Sequence, residues 1–191
     1  TLMNILFGMP VIHSTGGFEG KVLLDGEETH IYSPYDAMEK GIGMVHQHFM
    51  LVESFTAAQN IILGMEPKKG LFVSEEEAIR FTKEISKKYN LDVDAEAVTQ
   101  TLPVGVKQKI EILKALARGA EILILDEPTA GLDPQGVSAL LELLASLRDG
   151  LGMTILMATH DMDVVPLCCD YAYLLGGGSV LAQGTPEELF T

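Results

Sequence analysis

The chain has 191 residues, enough for one domain with a hydrophobic core, and 47% of them are hydrophobic, which excludes a disordered protein. Its 27 acidic and 13 basic residues give a formal net charge of -14, which disfavours nucleic acid or an anionic membrane surface as the main partner. No uncharged apolar stretch approaches the ~18 residues of a membrane helix. The two cysteines, Cys168 and Cys169, are adjacent and cannot link distant segments, so we interpret them as packing residues in a reducing cytosol.

The beginning of the chain is predicted to form short elements separated by glycine. Residues 1–7 place apolar side chains at helical spacing and stop at Gly8, which is typical of a helix end. Residues 16–21, G-G-F-E-G-K, loosely resemble a phosphate-binding loop, but the spacing is one residue short and Val22 stands where Ser or Thr is needed. Because the V-L-L-D-G sequence that follows is typical of a strand and a turn, we predict a hairpin here rather than a phosphate cradle.

A short helix and a strand come next and lead to a glutamine. The Ser-Pro pair at 33–34 is a typical helix start, and Gly41 ends the helix. Residues 42–46 then predict an apolar strand, which Gln47 follows. The neighbouring His46 and His48 have no cluster of metal-binding spacing near them, so we interpret them as ordinary loop residues.

From residue 56 to about residue 118 the pattern is helical. Thr56 can cap a helix that runs to residue 63, and Ser74 opens a capping-box sequence for a helix to about residue 89. Residues 107–118 predict a third helix with apolar side chains on one face. The sequence L-P-V-G-V at 102–106 stands directly before this helix.

Two carboxylates follow the next strand. The apolar run at 122–125 is typical of a buried strand in a parallel sheet, and Asp126 and Glu127 come directly after it. Open α/β sheets bind ligands at the carboxyl ends of their strands. One carboxylate at such a place can hold Mg²⁺, and its neighbour can orient or deprotonate an attacking water. The same two residues alone would equally fit a strand followed by an acidic turn.

The remaining elements continue an alternation of helix and strand. We predict an amphipathic helix over 135–148 and a buried strand over 153–158, with His160 just after that strand. Two short strands around residues 176–178 and a helix start at 185–188 complete the chain.

Residues 122–134, I-L-I-L-D-E-P-T-A-G-L-D-P, resemble the Walker B motif and D-loop of the ATPases of ATP-binding-cassette (ABC) transporters, and the resemblance extends through almost the whole chain. It implies an α/β fold with a P-loop NTPase-like three-layer ABC ATPase core and a helical subdomain. The core would comprise residues 1–54 and 119–191. The helical subdomain, with the signature region, would comprise residues 55–118.

The resemblance also implies catalytic and metal-binding roles. Asp126 and Gln47 would hold Mg²⁺, and Glu127 would be the catalytic base. Gln47 belongs to the Q-loop, whose amide also reaches the attacking water. His160 occupies the place of the H-loop histidine, which contacts the γ-phosphate of ATP. Asp133 would belong to the D-loop, which contacts a second ATP-binding domain.

The L-P-V-G-V sequence departs from the family signature L-S-G-G-Q, whose serine and glycine N–H groups bind the γ-phosphate held by the other domain. Pro103 removes both the hydroxyl and an N–H group, Val104 replaces a glycine, and Gly105 is retained. The alternative is a proline-initiated helix without a role in phosphate binding.

The phosphate loop of the family, G-x-x-x-x-G-K-[ST], is expected to end where this chain begins. Thr1 resembles the threonine that commonly follows the last serine of that loop, where it lies close to the nucleotide. We therefore expect an N-terminally truncated ABC ATPase domain that is inactive in isolation.

The expected function is ATP binding and hydrolysis that powers solute import, as the nucleotide-binding subunit of a transporter at the cytoplasmic face of the cell membrane. Transmembrane permease subunits and a second ATP-binding domain are the expected partners. The front half resembles ATPases of nucleoside and simple-sugar importers, and the back half resembles cobalt-type and energy-coupling-factor ATPases. Two alternatives stay open: a non-catalytic module that pairs with a complete ATPase, and a soluble ABC ATPase that is not coupled to transport.

Overall fold

A computed structural model describes residues 2–65 and 74–190, so Thr1 and its expected role lie outside the described residues. The strands of the described residues are β1 (Val22–Leu24), β2 (Glu27–Thr29), β3 (Ile42–Val45), β4 (Ile122–Asp126), β5 (Thr154–Ala158), β6 (Ala172–Gly176) and β7 (Ser179–Gly184). The helices are α1 (Leu2–Leu6), α2 (Pro10–Ser14), α3 (Pro34–Glu39), α4 (Ala57–Ile62), α5 (Glu75–Lys88), α6 (Val104–Ala117), α7 (Pro134–Leu151), α8 (Val165–Cys168) and α9 (Pro186–Phe190).

The central sheet of the described residues consists of three parallel strands in the order β3, β4, β5. Val45 pairs with Leu125, and Asp126 pairs with Ala158, so the three strands end at the same edge of the sheet. In the middle strand β4, Leu123 and Leu125 are fully buried. This confirms the prediction of a buried parallel strand, because such strands are covered on both faces.

Helices cover the two faces of this sheet. On one face Leu123 and Leu125 pack in a cluster with Ile110 of α6 and Leu144 of α7. On the other face Ile124 packs in a second cluster with Phe7 and other apolar residues of the N-terminal segment. Alternating residues of one strand therefore serve two different cores, which gives the three-layer arrangement that the sequence predicts.

Helices α4 and α5 begin where their capping residues predict, whereas α6 begins at Val104, three residues before the predicted start at 107. Thr56 forms a reciprocal capping box with Gln59 at the start of α4, and the Ser74 side chain accepts the N–H of Glu77 at the start of α5. Helix α4 packs against both α5 and α6, and α6 also packs against β3. Because α6 joins the helices to the sheet, the boundary at residue 118 between helical subdomain and core stays a prediction.

Two antiparallel hairpins complete the description. Strands β1 and β2 are joined at Asp25 and Gly26, whose φ angles of 52° and 83° are those of a type I′ turn. The prediction of a hairpin after residues 16–21 is therefore confirmed. Strands β6 and β7 pair around the glycines at 177–178, as predicted. Within the described residues, no helix combines the length and apolarity needed to cross a membrane.

Candidate functional site

The carboxyl edge of the central sheet gathers most of the predicted catalytic residues. Asp126 is the last residue of β4, and Glu127 follows it. Gln47 lies two residues beyond the end of β3, and His160 lies two residues beyond the end of β5. Because these strands are parallel neighbours, one edge carries all four side chains, which is the usual ligand-binding edge of an open α/β sheet.

Glu127 has an unusual backbone conformation. Its φ of 48° lies in the left-handed region, which costs a non-glycine residue free energy and persists only where neighbours enforce it. Here the N–H of Glu127 donates to the carbonyl of Ala158 at 2.8 Å, which extends the pairing of β4 with β5 by one residue. The turn directs the carboxylate across the end of β5, towards His160.

Glu127 and His160 form a directly bonded pair. Oε2 of Glu127 lies 2.7 Å from Nδ1 of His160 and also accepts the backbone N–H of His160 at 3.3 Å. The hydrogen bond and the negative charge of Glu127 raise the pKa of His160 above its usual value. The His160 side chain is 84% exposed and that of Glu127 is 21% exposed, so water can reach both groups.

His46 is closer to the site than the sequence interpretation placed it. Ile42 and Met44 point into the cluster that contains Phe7, and His46 is the next residue on the same side of the chain. The His46 ring meets the Phe7 ring edge-on at a centroid distance of 6.0 Å. Burial lowers the pKa of His46, and the charge of Asp126 opposes this effect. His46 does lie in the loop after β3, as predicted, but its contact with Phe7 was not predicted, and the period-two pattern of residues 42–46 was the available signal for it.

Gln108 was also missed in the sequence. It is 3% exposed, and its side-chain amide donates to the carbonyl of Pro128 at 2.6 Å. This bond joins α6 to the turn that follows Glu127. A polar residue on the buried face of an amphipathic helix was the signal, because such a group needs a hydrogen-bond partner.

The signature region lies at the beginning of α6. Pro103 precedes the first helical residue, Val104, and no side chain caps this helix. Pro103, Val104 and Gly105 line a cavity of about 430 Å³ together with Gly131 and Asp133. The proline-initiated helix is therefore present, and it leaves backbone N–H groups of the first turn for a ligand or a partner.

Asp133 has a structural role that the sequence analysis did not assign. Its side chain accepts the N–H of Gly136 at 2.7 Å and so caps α7, with Pro134 at the first helical position. This cap fixes the segment from Gly131 to Asp133 beside the start of α6. The proposed contact of Asp133 with a second domain stays a prediction.

A groove of about 300 Å³ is lined mainly by methionines and other apolar residues, with His46 also in its wall. Lys114 donates from Nζ to the carbonyl of Met50 at 3.0 Å, and Arg118 donates to the carbonyl of Leu63. Glu111 is buried beside Lys114, with Oε1 at 3.6 Å from Nζ, and burial raises the pKa of Glu111. Helix α6 thus places one acidic and two basic side chains beside an apolar groove.

The donor set at the strand edge suits Mg²⁺. Asp126 offers a carboxylate and Gln47 an amide oxygen, and Mg²⁺ is usually bound through one or two carboxylates, waters and the phosphate oxygens of a nucleotide. Within residues 2–65 and 74–190, no group of three or more His, Cys, Asp or Glu side chains forms a self-sufficient metal site. The residues therefore fit a magnesium ion that is held jointly with a nucleotide.

Comparison with known proteins identifies relatives of the whole chain. The profile of the family described as ABC transporter matches residues 1–130. The guanosine import ATP-binding protein NupO of Bacillus subtilis is 47% identical over 77% of this chain and 28% of its own length. The nucleoside import ATP-binding protein NupA of Lactococcus lactis is 43% identical over 99% of this chain and 37% of its own length. The chain therefore spans about a third of the length of these curated relatives.

Solved structures show the same fold. The structure of cbiO1 from Clostridium perfringens, part of the ABC transporter complex cbiONQ, matches with a TM-score of 0.77 and 33% identity over 99% of this chain and 72% of that chain. The dimeric structure of MJ0796, a bacterial ABC transporter cassette, matches with a TM-score of 0.74 and 26% identity over 97% of this chain and 79% of that chain. These likenesses confirm the predicted α/β ABC ATPase fold. The predicted resemblance to ATPases of nucleoside importers is confirmed by the names of NupO and NupA. The matches to NupA and to cbiO1 each span 99% of this chain, so the division of the resemblance between a front and a back half stays a prediction.

Proposed function

The chain belongs to the ABC transporter family, and we propose that it binds and hydrolyses ATP as the nucleotide-binding part of an importer. The observation that carries this proposal is the pair of Glu127 and His160, held in one geometry at the carboxyl edge of the sheet. The backbone of Glu127 is in the left-handed region, which costs folding free energy, and its carboxylate is held by His160, two residues beyond β5. Such strained residues cluster at active sites, which supports a catalytic role for Glu127.

Glu127 would act on the attacking water. Its carboxylate can accept a proton, and its partial exposure lets a water molecule reach it. The bond from His160 fixes the direction of Oε2. Because Nδ1 of His160 donates to Glu127, Nε2 can donate to a phosphate oxygen when the imidazole is protonated, which places a cationic donor beside developing negative charge.

Asp126 and Gln47 would hold the magnesium ion. When bound, Mg²⁺ neutralises charge on the phosphate oxygens and helps to orient them. Asp126 ends β4 and Gln47 lies two residues beyond the end of the neighbouring strand β3, so the sheet brings both to the edge that carries Glu127.

A second ATP-binding domain is the proposed partner of the signature region. The start of α6 and the Gly131–Asp133 segment line one cavity that differs from the Glu127 pair, and one of the solved relatives is described as dimeric. We assign Pro103, Val104 and Gly105 to the nucleotide held by the other domain, with Asp133 at the contact between domains. Because residues 1–191 contain no G-x-x-x-x-G-K-[ST] sequence, this polypeptide alone is not expected to hydrolyse ATP.

A permease helix is the proposed occupant of the methionine-lined groove. Met50 is 60% exposed at the edge of this groove, and exposed methionines suit contact with an apolar helix. Lys114 and Arg118 can bind the carbonyl end or an acidic side chain of such a helix. This assignment would place the protein at the cytoplasmic face of the membrane. The names of the two curated relatives favour a nucleoside as the imported solute.

The test is transport by the complete ATP-binding protein reconstituted with its permease in liposomes. We expect guanosine uptake that requires Mg-ATP and stops with the substitution Met50→Asp, which places a charge in the groove. Leu167→Asp is the matched control, because Leu167 is 72% exposed on α8 and does not line the groove. ATP hydrolysis without any solute uptake would support a soluble ATPase. Binding to a complete ATPase without hydrolysis at Glu127 would support the non-catalytic module.

A further inference from the structure

The adjacent cysteines lie at the end of α8, outside the proposed ATP site. Their sulfur atoms are 3.7 Å apart, and both residues are partly exposed. The thiol of Cys168 donates to the carbonyl of Val164 at 3.3 Å, and the N–H of Cys169 donates to the carbonyl of Val165 at 3.1 Å. The helix end therefore holds two thiols side by side and within reach of solvent, which differs from the packing role expected from the sequence.

The charged groups around the pair come from two elements. Arg148 of α7 donates from its guanidinium to the carbonyl of Cys168 at 3.1 Å and lies 3.4 Å from the carboxylate of Asp170. The positive charge of Arg148 favours a thiolate, and Asp170 opposes it. The Cys168 thiol has one proton, which can be donated either to the carbonyl of Val164 or to the Cys169 sulfur. When it is donated to Cys169, it lowers the pKa of Cys169 to about 7, and the same interaction raises the pKa of Cys168.

We propose that Cys168 and Cys169 are a modification site at which a hydroperoxide reversibly oxidises the two thiols to a disulfide between neighbouring residues. The Cys169 thiolate attacks one oxygen of the hydroperoxide, so that an S–O bond forms, the O–O bond breaks and an alcohol or water leaves. Cys169 is then a sulfenic acid. Cys168 attacks this sulfur, an S–S bond forms, the S–O bond breaks, and hydroxide leaves as water with the proton of Cys168. Two thiols lose two electrons, and the hydroperoxide gains them.

The geometry also makes the product easy to reduce. Adjacent Cα atoms are about 3.8 Å apart across a trans peptide, below the ~4.4–6.8 Å span of ordinary disulfides. A disulfide formed here is therefore strained, and strained disulfides have the more oxidising potentials of labile bonds. Its formation also removes the hydrogen bond from Cys168 to Val164 at the end of α8.

The experiment exposes the reduced protein to tert-butyl hydroperoxide and measures free thiols with a thiol reagent, together with peptide mapping by mass spectrometry. Because the chain has two cysteines, the thiol count reports on this site alone. We expect loss of both thiols, a peptide lighter by two hydrogens, and full recovery with dithiothreitol. Denatured protein is the control, and we expect its oxidation to be at least severalfold slower.

Two variants separate the roles of the sulfurs. In Cys168→Ser we expect a sulfenic acid at Cys169 that dimedone traps, and in Cys169→Ser we expect little trapping. Alkylation of Cys169 by iodoacetamide in the wild-type protein is expected to rise with pH with a midpoint near 7. Disulfides only between different molecules, or equal oxidation of native and denatured protein, would overturn the proposal. Neither readout depends on ATP hydrolysis, so this result and that of the proposed function are independent.

Discussion

Replacement of Glu127 by glutamine tests the centre of the proposed mechanism. Glutamine has the size of glutamate and can still accept a hydrogen bond from His160 through its amide oxygen, so the turn at residue 127 should survive. The substitution removes the negative charge and the ability to accept a proton from water. We therefore expect that ATP binding persists while turnover in the complete transporter stops.

The size of the effect follows from the role assigned to the carboxylate. A positioned general base contributes roughly two to four orders of magnitude in rate. At about 1.4 kcal/mol for each factor of ten, the activation free energy should rise by about 3 to 6 kcal/mol. The effect on folding stability should be small, because the ion pair with His160 is exposed on its histidine side.

The assay combines steady-state ATP hydrolysis with a nucleotide-binding measurement on the same preparation. A titration of His160 by NMR supplies an independent readout. Since Glu127 raises the pKa of His160, the wild-type imidazolium persists as the pH rises through its ordinary pKa of ~6.5, and in Glu127→Gln it should lose its proton at a lower pH. Near-normal hydrolysis in Glu127→Gln would refute the reasoning and would make Glu127 a structural acid at a strand end.

Two further predictions concern the core and the signature. Gly43→Ala should destabilise the fold by ~1–3 kcal/mol, because the added Cβ would lie 2.8 Å from Ala115 Cβ. In the control variant Gly150→Ala the added Cβ meets open space, so the Tm should stay unchanged or rise. Thermal unfolding that shows equal Tm values for the two variants would contradict this prediction. The double variant Pro103→Ser, Val104→Gly in the complete transporter should hydrolyse ATP faster at the site that this signature completes, because a hydroxyl and an N–H donor are restored. Unchanged or slower ATP hydrolysis per site would show that L-P-V-G-V is already a competent signature.

The sequence was most informative where local chemistry decides local structure. The capping residues Thr56 and Ser33 correctly placed helix starts, and the apolar run before Asp126 correctly placed the central strand. The short helices α2 and α8, of five and four residues, were not predicted, although α1 of similar length was, because little more than one turn gives only a weak amphipathic pattern. Their formation depends on contacts with the rest of the fold, which a one-dimensional pattern does not contain.

At the candidate site the sequence identified residues but not their pairing. Both Glu127 and His160 were selected, yet their bond depends on the left-handed backbone at 127 and on the parallel order of β4 and β5. No residue pattern of this chain specifies that geometry. Gln108 and His46 were missed for a related reason, because their partners lie far away in sequence or across a strand end.

Helix α6 links the three places where function is proposed. A helix of 14 residues is about 21 Å long, and α6 carries the signature at its start, Gln108 one turn later and the groove residues Glu111 and Lys114 in its second half. Gln108 fixes the turn after Glu127 to this same helix. A shift of α6 caused by a substitution at Pro103 would therefore also move the catalytic turn and the groove. For that reason, a change in the ATP turnover of a signature variant can be assigned to the signature only when two further quantities are measured. These are the affinity for the nucleotide bound beside Glu127 and the solute uptake per ATP hydrolysed.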